Sequence, residues 1–189
     1  MKMLTDREKW DIGKIAENEN YYSALPERHR TAAVSLVAVL ASGQNLEYVP
    51  DAVINRDICR AALLSKDVDL NILTKIPYPE VQKEAIKKFL DEGNNPFVIY
   101  SFADITDAKM AENAVKADAY CLQFVPDKLL TAELCKMAFN SPNADKKVLG
   151  FIPEKFQTPE IRKMAENKFG DSQAQKEVSP PPQKKGLSI

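Results

Sequence analysis

A chain of 189 residues with 44% hydrophobic content is long enough to bury a real core and too apolar to be disordered over most of its length. Its net charge of −1 argues against a general nucleic-acid or anionic-membrane binder, and six Gly count against a turn-rich β fold. The longest apolar run, 32–41, has about half the length that a membrane span requires, so no membrane partner is expected.

Residues 5–18 predict one amphipathic helix, opened by a capping box of Thr5 and Glu8. Trp10 is expected to pack toward the first repeat, making this helix an N-terminal cap. The first ten residues, MKMLTDREKW, lack the apolar stretch of a secretion signal, and a cytoplasmic location is expected.

From Tyr21 onward a single pattern recurs: a short helix, a Pro-marked corner and a second helix. The clearest copies are LEYVPDAVINRDICRAAL from Leu46, LQFVPDKLLTAELCKMAF from Leu122 and LGFIPEKFQTPEIRKMAE from Leu149. A weaker copy starts at Tyr21, and degenerate ones start at Leu70 and Val98. Pro26, Pro50, Pro126 and Pro153 each stand five residues before a cap residue: Thr31, Asn55, Thr131 and Thr158. Seven residues after each cap comes Ala38, Ala62, Ala138 or Ala165; Ala16, Ala85 and Ala114 extend that column. The caps supply an oxygen to an orphan helix N–H, and the alanines are expected where neighbouring helices approach most closely. The period of about 24–28 residues predicts an all-α fold, an α-solenoid of six to seven short two-helix repeats.

The helix Thr31–Ser42 departs from its fellows. The second and fifth positions after the cap are charged elsewhere, as in Asp57 with Arg60, Glu80 with Lys83, Glu133 with Lys136 and Glu160 with Lys163. Such pairs share a solvent face and support the helix by a few tenths of a kcal/mol each. Here those positions are Ala33 and Leu36, and Leu40 continues the stripe. Either the N-terminal helix folds back over this face, or the face is a surface for a protein partner or for self-association into a homodimer. On the second reading, Leu36→Glu leaves the protein folded but monomeric or blind to its partner.

The middle, 74–105, is the least regular part: Lys75-Ile-Pro-Tyr-Pro bends the chain, and a helix Glu80–Leu90 is expected to end at Gly93. Tyr48, Ile72, Tyr100, Phe124 and Phe151 recur on the first helices, as core or as the lining of a groove. One helical-repeat domain over 1–170 is expected, followed at 171–189 by a disordered tail. In that tail Pro180, Pro181 and Pro182 favour polyproline II and precede Lys184 and Lys185, a candidate docking peptide or a plain solubilising end.

The unit resembles short α-helical tandem repeats known mainly as domains of unknown function in bacterial proteins, and is distantly similar to HEAT-like and leucine-rich-variant repeats. Their pattern, Leu-x-x-Val-Pro-Glu then Thr-x-Glu-Leu-Cys-x-x-Ala, is matched by Leu122, Val125, Pro126, Thr131, Glu133, Leu134, Cys135 and Ala138. Thr74 and Phe102 depart from it, standing where the pattern has Pro. The resemblance covers about Met3 to Phe169; it implies an α-solenoid and brings no catalytic residues with it.

Little in the chain points to chemistry. A single His, His29, is expected at the surface and excludes a multi-His metal site. Cys121 and Cys135 are separated by thirteen residues with no local partner pair, which is not a zinc spacing; the three Cys read as buried thiols of a reducing compartment. There is no Gly-rich phosphate loop, nucleophile elbow or His-Glu-x-x-His motif. No catalytic, metal or cofactor residues are assigned. The expectation is a non-enzymatic protein–protein interaction module, an adaptor, regulatory or immunity-type protein with an unidentified protein partner. Nucleic-acid binding would need Lys and Arg gathered on one face, whereas Lys87-Lys88 and Lys146-Lys147 have acids nearby. An enzyme would need a cleft of perturbed carboxylates.

Overall fold

The computed structural model describes residues 3–18 and 20–170. Among these the secondary structure is helical, with no strand, as the repeat pattern predicts. The α-helices are α1 (Asp6–Glu17), α2 (Tyr21–Ala24), α3 (Ala32–Ala41), α4 (Arg56–Leu63), α5 (Pro79–Asp91), α6 (Pro96–Phe102), α7 (Ala108–Ala117), α8 (Ala132–Asn140) and α9 (Pro159–Phe169). None is long and apolar enough to cross a membrane.

The first member of most repeats is a 3₁₀ turn rather than an α-helix: Gly43–Tyr48, Leu70–Thr74, Ala119–Phe124 and Lys146–Phe151. The corner proline explains three of these. Val49, Val125 and Ile152 precede Pro50, Pro126 and Pro153, and a residue before proline is pushed out of the α region. All three are extended, and each turn closes with an i→i+3 bond of 3.2 Å, from Val49 N to Leu46 O, Val125 N to Leu122 O and Ile152 N to Leu149 O.

The second helices start where their caps dictate. Asn55, Asp107, Thr131 and Thr158 each accept from the backbone N–H three residues on, at 2.9–3.3 Å. Thr31 holds the cap position of α3 without capping; its hydroxyl donates to Glu8 of α1 at 2.7 Å. Thr5 and Glu8 form the expected capping box. Pro79 and Pro159 occupy the first turns of α5 and α9, and α5 is followed by Gly93 at φ +82°, where a side chain would be strained.

From each N-cap the burial follows one rule. The third and seventh residues are buried in α3, α4, α5, α7, α8 and α9: Val34, Ile58, Val81, Met110, Leu134 and Ile161, then Ala38, Ala62, Ala85, Ala114, Ala138 and Ala165. The large members of the first set each contribute about 1.5–3 kcal/mol by burial. The fourth position is buried in all but α9, where it is the exposed Arg162; the eighth, Glu166, is exposed there too. Its polar members are bonded: Ser35 shares a 2.7 Å hydrogen bond with Tyr22 Oη, and Gln82 donates to Leu73 O at 3.1 Å. Ala16 does not belong to the alanine column. It is exposed, and α1 buries Asp11 and Ile15 instead, since α1 packs by a different register from the helices that follow.

The chain divides into two compact units. One comprises residues up to Asn94 with Phe102–Asp104; the other takes Asn95–Ser101 and the described residues from Ile105 on. In unit 1, α1 packs on α3, α3 on α4 and α4 on α5; in unit 2, α7 packs on α8 and α8 on α9. The same elements recur in both at a constant offset of 76 residues, seen in Ala32–Ala41 against Ala108–Ala117 and in Gly43–Tyr48 against Ala119–Phe124.

A shared clasp repeats at the same offset. In unit 1 the Asp67 carboxylate accepts from Gly43 N at 3.0 Å and from the Ser42 and Ser65 hydroxyls. In unit 2 Asn143 Oδ1 accepts from Ala119 N at 3.1 Å and from Ser141 Oγ at 2.7 Å. Each clasp ties a 3₁₀ turn to the loop of the next repeat, 24 residues later.

Candidate functional site

The helices that carry the candidate partner surface are α3 and α4. Their buried sides are fixed by the third, fourth and seventh positions, which leaves the second, fifth and ninth facing outward. On α3 these are Ala33 and Leu36, both half-buried, and Leu40, 52% exposed. The N-terminal helix does pack on α3, yet the stripe keeps an open end at Leu40. At the C-cap of α4 the ninth position is Leu64, 78% exposed, which the sequence reading passed over. Its signal was available: Leu64 follows Asn55 by the same nine residues by which Leu40 follows Thr31.

Beside Leu64, between α4 and α5, lies an open depression of about 450 Å³. It is lined by Asp57, Arg60, Ala61, Leu63, Leu64, Glu84 and Lys88, and its wall is largely apolar. Two ion pairs cross from α4 to α5 at its side, Arg56 with Glu80 and Arg60 with Glu84, the latter at 2.8 Å. The predicted pairing of Asp57 with Arg60 along one helix is replaced by this pairing between helices. Stacking at 24 residues brings the carboxylates of the next helix within reach of the arginines. The pairs hold both glutamates below the usual carboxylate range, chiefly through the arginine hydrogen bonds. Being exposed, they add little to stability.

Unit 2 fills the corresponding positions differently. Opposite Ala33, Leu36 and Leu40 of α3 stand Lys109, Glu112 and Lys116 of α7. Glu112 lies between both lysines, 2.6 Å from Lys116 and 3.0 Å from Lys109, and these bonds bring its pKa down to about 2. Opposite Leu64 stands Asn140, and Lys136 bridges Glu133 at 3.4 Å and Glu160 at 2.9 Å.

Of the aromatic series, Ile72 and Tyr100 are buried, Phe124 and Phe151 are half-buried, and Tyr48 is exposed. Phe97, Tyr120, Phe124 and Phe151 form a packed row in unit 2, with ring centroids 5.1–6.5 Å apart. A hydrogen bond to Asp145 raises the Tyr120 hydroxyl to about 12. His29 is not a free surface residue: its side chain is 22% exposed and stands 3.7 Å from the buried carboxylate of Asp11, which also receives Arg7 at 3.0 Å. Trp10 is 48% exposed and sets its ring edge-on to Tyr21 at 5.9 Å.

The three thiols are buried and free. Burial pushes Cys59 and Cys135 up to about 11 and Cys121 higher still, so none is a ready nucleophile at neutral pH. Among the described residues, no three His, Cys, Asp or Glu side chains gather as a metal site. The candidate tail residues Pro180, Pro181, Pro182, Lys184 and Lys185 lie outside the described residues. Comparison with protein-family models, with curated proteins and with solved structures gave no match.

Proposed function

We propose that the chain is a non-enzymatic protein–protein interaction module made of short stacked helical repeats, an α-solenoid in kind, which binds a protein partner through the apolar stripe of α3 and the neighbouring Leu64. Stacking within each unit supports the solenoid reading: hydrogen bonds join equivalent residues 24 apart, as in Gly43 to Asp67 of unit 1 and Ala119 to Asn143 of unit 2. Buried free thiols fit a reducing, cytoplasmic setting.

One observation carries the functional reading. The same buried positions are satisfied in α7 of unit 2 under a charged outer stripe and in α3 of unit 1 under an apolar one. The repeat therefore does not need Leu36, Leu40 or Leu64 to be apolar in order to pack. An exposed leucine gains nothing from water, and a row of them at one register is a surface for contact. Nucleic-acid binding is less well supported, because Arg56, Arg60 and Lys136 are already paired with carboxylates.

The test is a photo-cross-linking residue placed at position 40 or, as control, at position 116, in lysate of the source cell. The reading expects a discrete protein adduct from position 40 and none from 116. No adduct at 40, or the same adducts at both, would contradict it.

A further inference from the structure

Helix α1 is seated differently from the helices that follow it. Of its twelve residues two are buried, Asp11 and Ile15, and one of these is a carboxylate; four of the eight in α4 are buried, all of them apolar. Ile15 is thus the one fully buried apolar side chain that holds α1, with Ile12 half-buried. The other ties are polar. Asp11 accepts from the Tyr21 hydroxyl of α2 at 3.1 Å and stands 3.7 Å from His29, and Glu8 accepts from the Thr31 hydroxyl at 2.7 Å. Each such tie contributes only modest net stability, since both partners regain water on release, and the buried Asp11 carboxylate regains the most.

The helix is also weakened from within. Gly13 lies exposed in its interior, and nothing stands within 4 Å of where a Cβ would be, so no close packing calls for glycine there. An interior glycine lowers the helix population about fivefold relative to alanine. A helix of this length is marginal in water without tertiary support. What α1 packs on is α3, whose ten residues, Ala32–Ala41, include no charged side chain. A helix without a charged face needs cover, and α1 and α4 both supply it. Of these two covers, α1 is the one held by a single buried apolar side chain.

We infer that α1 is a lid: it opens locally while the rest of unit 1 stays folded, and so bares apolar surface on the helix that carries Leu36 and Leu40. What the opening serves rests on the proposed role of the stripe. Leu40 and Leu64 alone are small beside the roughly 800 Å² per partner that a stable complex buries, and the surface under α1 adds to them. Partner binding and α1 docking then compete for α3, and the strength of the α1 seat sets how readily the partner binds.

Hydrogen exchange of the full chain, followed by mass spectrometry on segments from α1 and α4, tests this. A lid gives α1 amides that exchange about tenfold or more faster than α4 amides, relative to their intrinsic rates, at a rate that low urea leaves nearly unchanged. Gly13→Ala should slow α1 about fivefold and Ile15→Ala should speed it, with α4 unaltered in both. If Ile15→Ala also loosens α4, Gly13→Ala carries the test alone. Equal protection of α1 and α4 with the same urea dependence overturns the inference, as does an α1 rate that Gly13→Ala leaves unchanged. In lysate, the position-40 probe should give more adduct in the Ile15→Ala background and less in the Gly13→Ala background. Equal adduct in all three backgrounds overturns the competition between lid and partner. A lid that opens, with no adduct from position 40 in any background, would remove the interaction reading and leave the lid standing.

Discussion

Helices α3 and α4 of unit 1 and α7 and α8 of unit 2 follow one sequence register. At an offset of 76 residues they share cap positions, a seam of buried alanines, a 3₁₀ turn and an Asp or Asn clasp. They part company on the outside, where Ala33, Leu36 and Leu40 face Lys109, Glu112 and Lys116 in the comparison. The difference separates two demands on the sequence. The inner positions answer to packing and tolerate only small or well-fitted groups. The outer positions are free of that demand, so their chemistry reports what the surface meets.

The largest effect should come where the units agree most. Ala38→Leu and Ala114→Leu add volume at fully buried seam positions, and each is expected to cost about 3 kcal/mol in urea unfolding. A loss below about 1 kcal/mol at one site alone would break the equivalence of the two seams. Next comes a position where the units differ inside the core. Gly43 corresponds to Ala119, yet a Cβ on Gly43 would stand 2.6 Å from the Ala62 carbonyl oxygen. Gly43→Ala should cost about 2 kcal/mol although the other unit carries that very residue; a neutral result would mean that the turn gives way easily.

The clasps differ in charge, which pH can expose. Burial pushes the Asp67 carboxyl up, but the hydrogen bonds from Ser42, Ser65 and Gly43 together hold it below its ordinary value. A carboxyl lowered in the folded state stabilises above its unfolded pKa, about 3.9, and loses that contribution as pH falls through the folded value. Asp67→Ala should therefore cost about 0.5–1 kcal/mol near neutral pH, solvent screening at this exposed side chain keeping it small, and progressively less below about pH 4. Asn143→Ala should show no such acid-dependent recovery. Urea titrations of both variants over acid pH would check it, and matching pH profiles would contradict it.

Effects of similar size are expected at the caps. Asn55→Ala and Thr131→Ala remove side-chain caps worth about 1 kcal/mol. Thr31→Ala removes a tie to Glu8 instead and should cost about 0.5 kcal/mol by thermal unfolding, with the loss vanishing in a Glu8→Ala background.

Much of this architecture was legible in the sequence because its signals are local. A cap oxygen, a corner proline and an alanine seven residues on each act within one helix, so their spacing shows in one dimension. The clasps were not legible: Asp67 and Asn143 each bond to a residue 24 positions away, and Asp and Asn abound in ordinary loops. The 76-residue offset was within reach, since LEYVPD at Leu46 and LQFVPD at Leu122 are its two ends. The 3₁₀ character of the first helices hides because the hydrophobic pattern of a single turn fits either helix. Ala33, Leu36 and Leu40 stood out by pattern, and Leu64 became visible once the helices were in register.

The central claim is that the apolar stripe of α3 is surplus to folding. The direct test grafts the outer stripe of unit 2 onto unit 1, as Ala33→Lys, Leu36→Glu and Leu40→Lys together, and measures stability by urea unfolding. The account predicts a cooperative transition within about 1 kcal/mol of the wild type, since none of the three is a fully buried side chain. A loss of about 3 kcal/mol or more, or a protein without a cooperative transition, would show that the stripe belongs to the core and would contradict the claim.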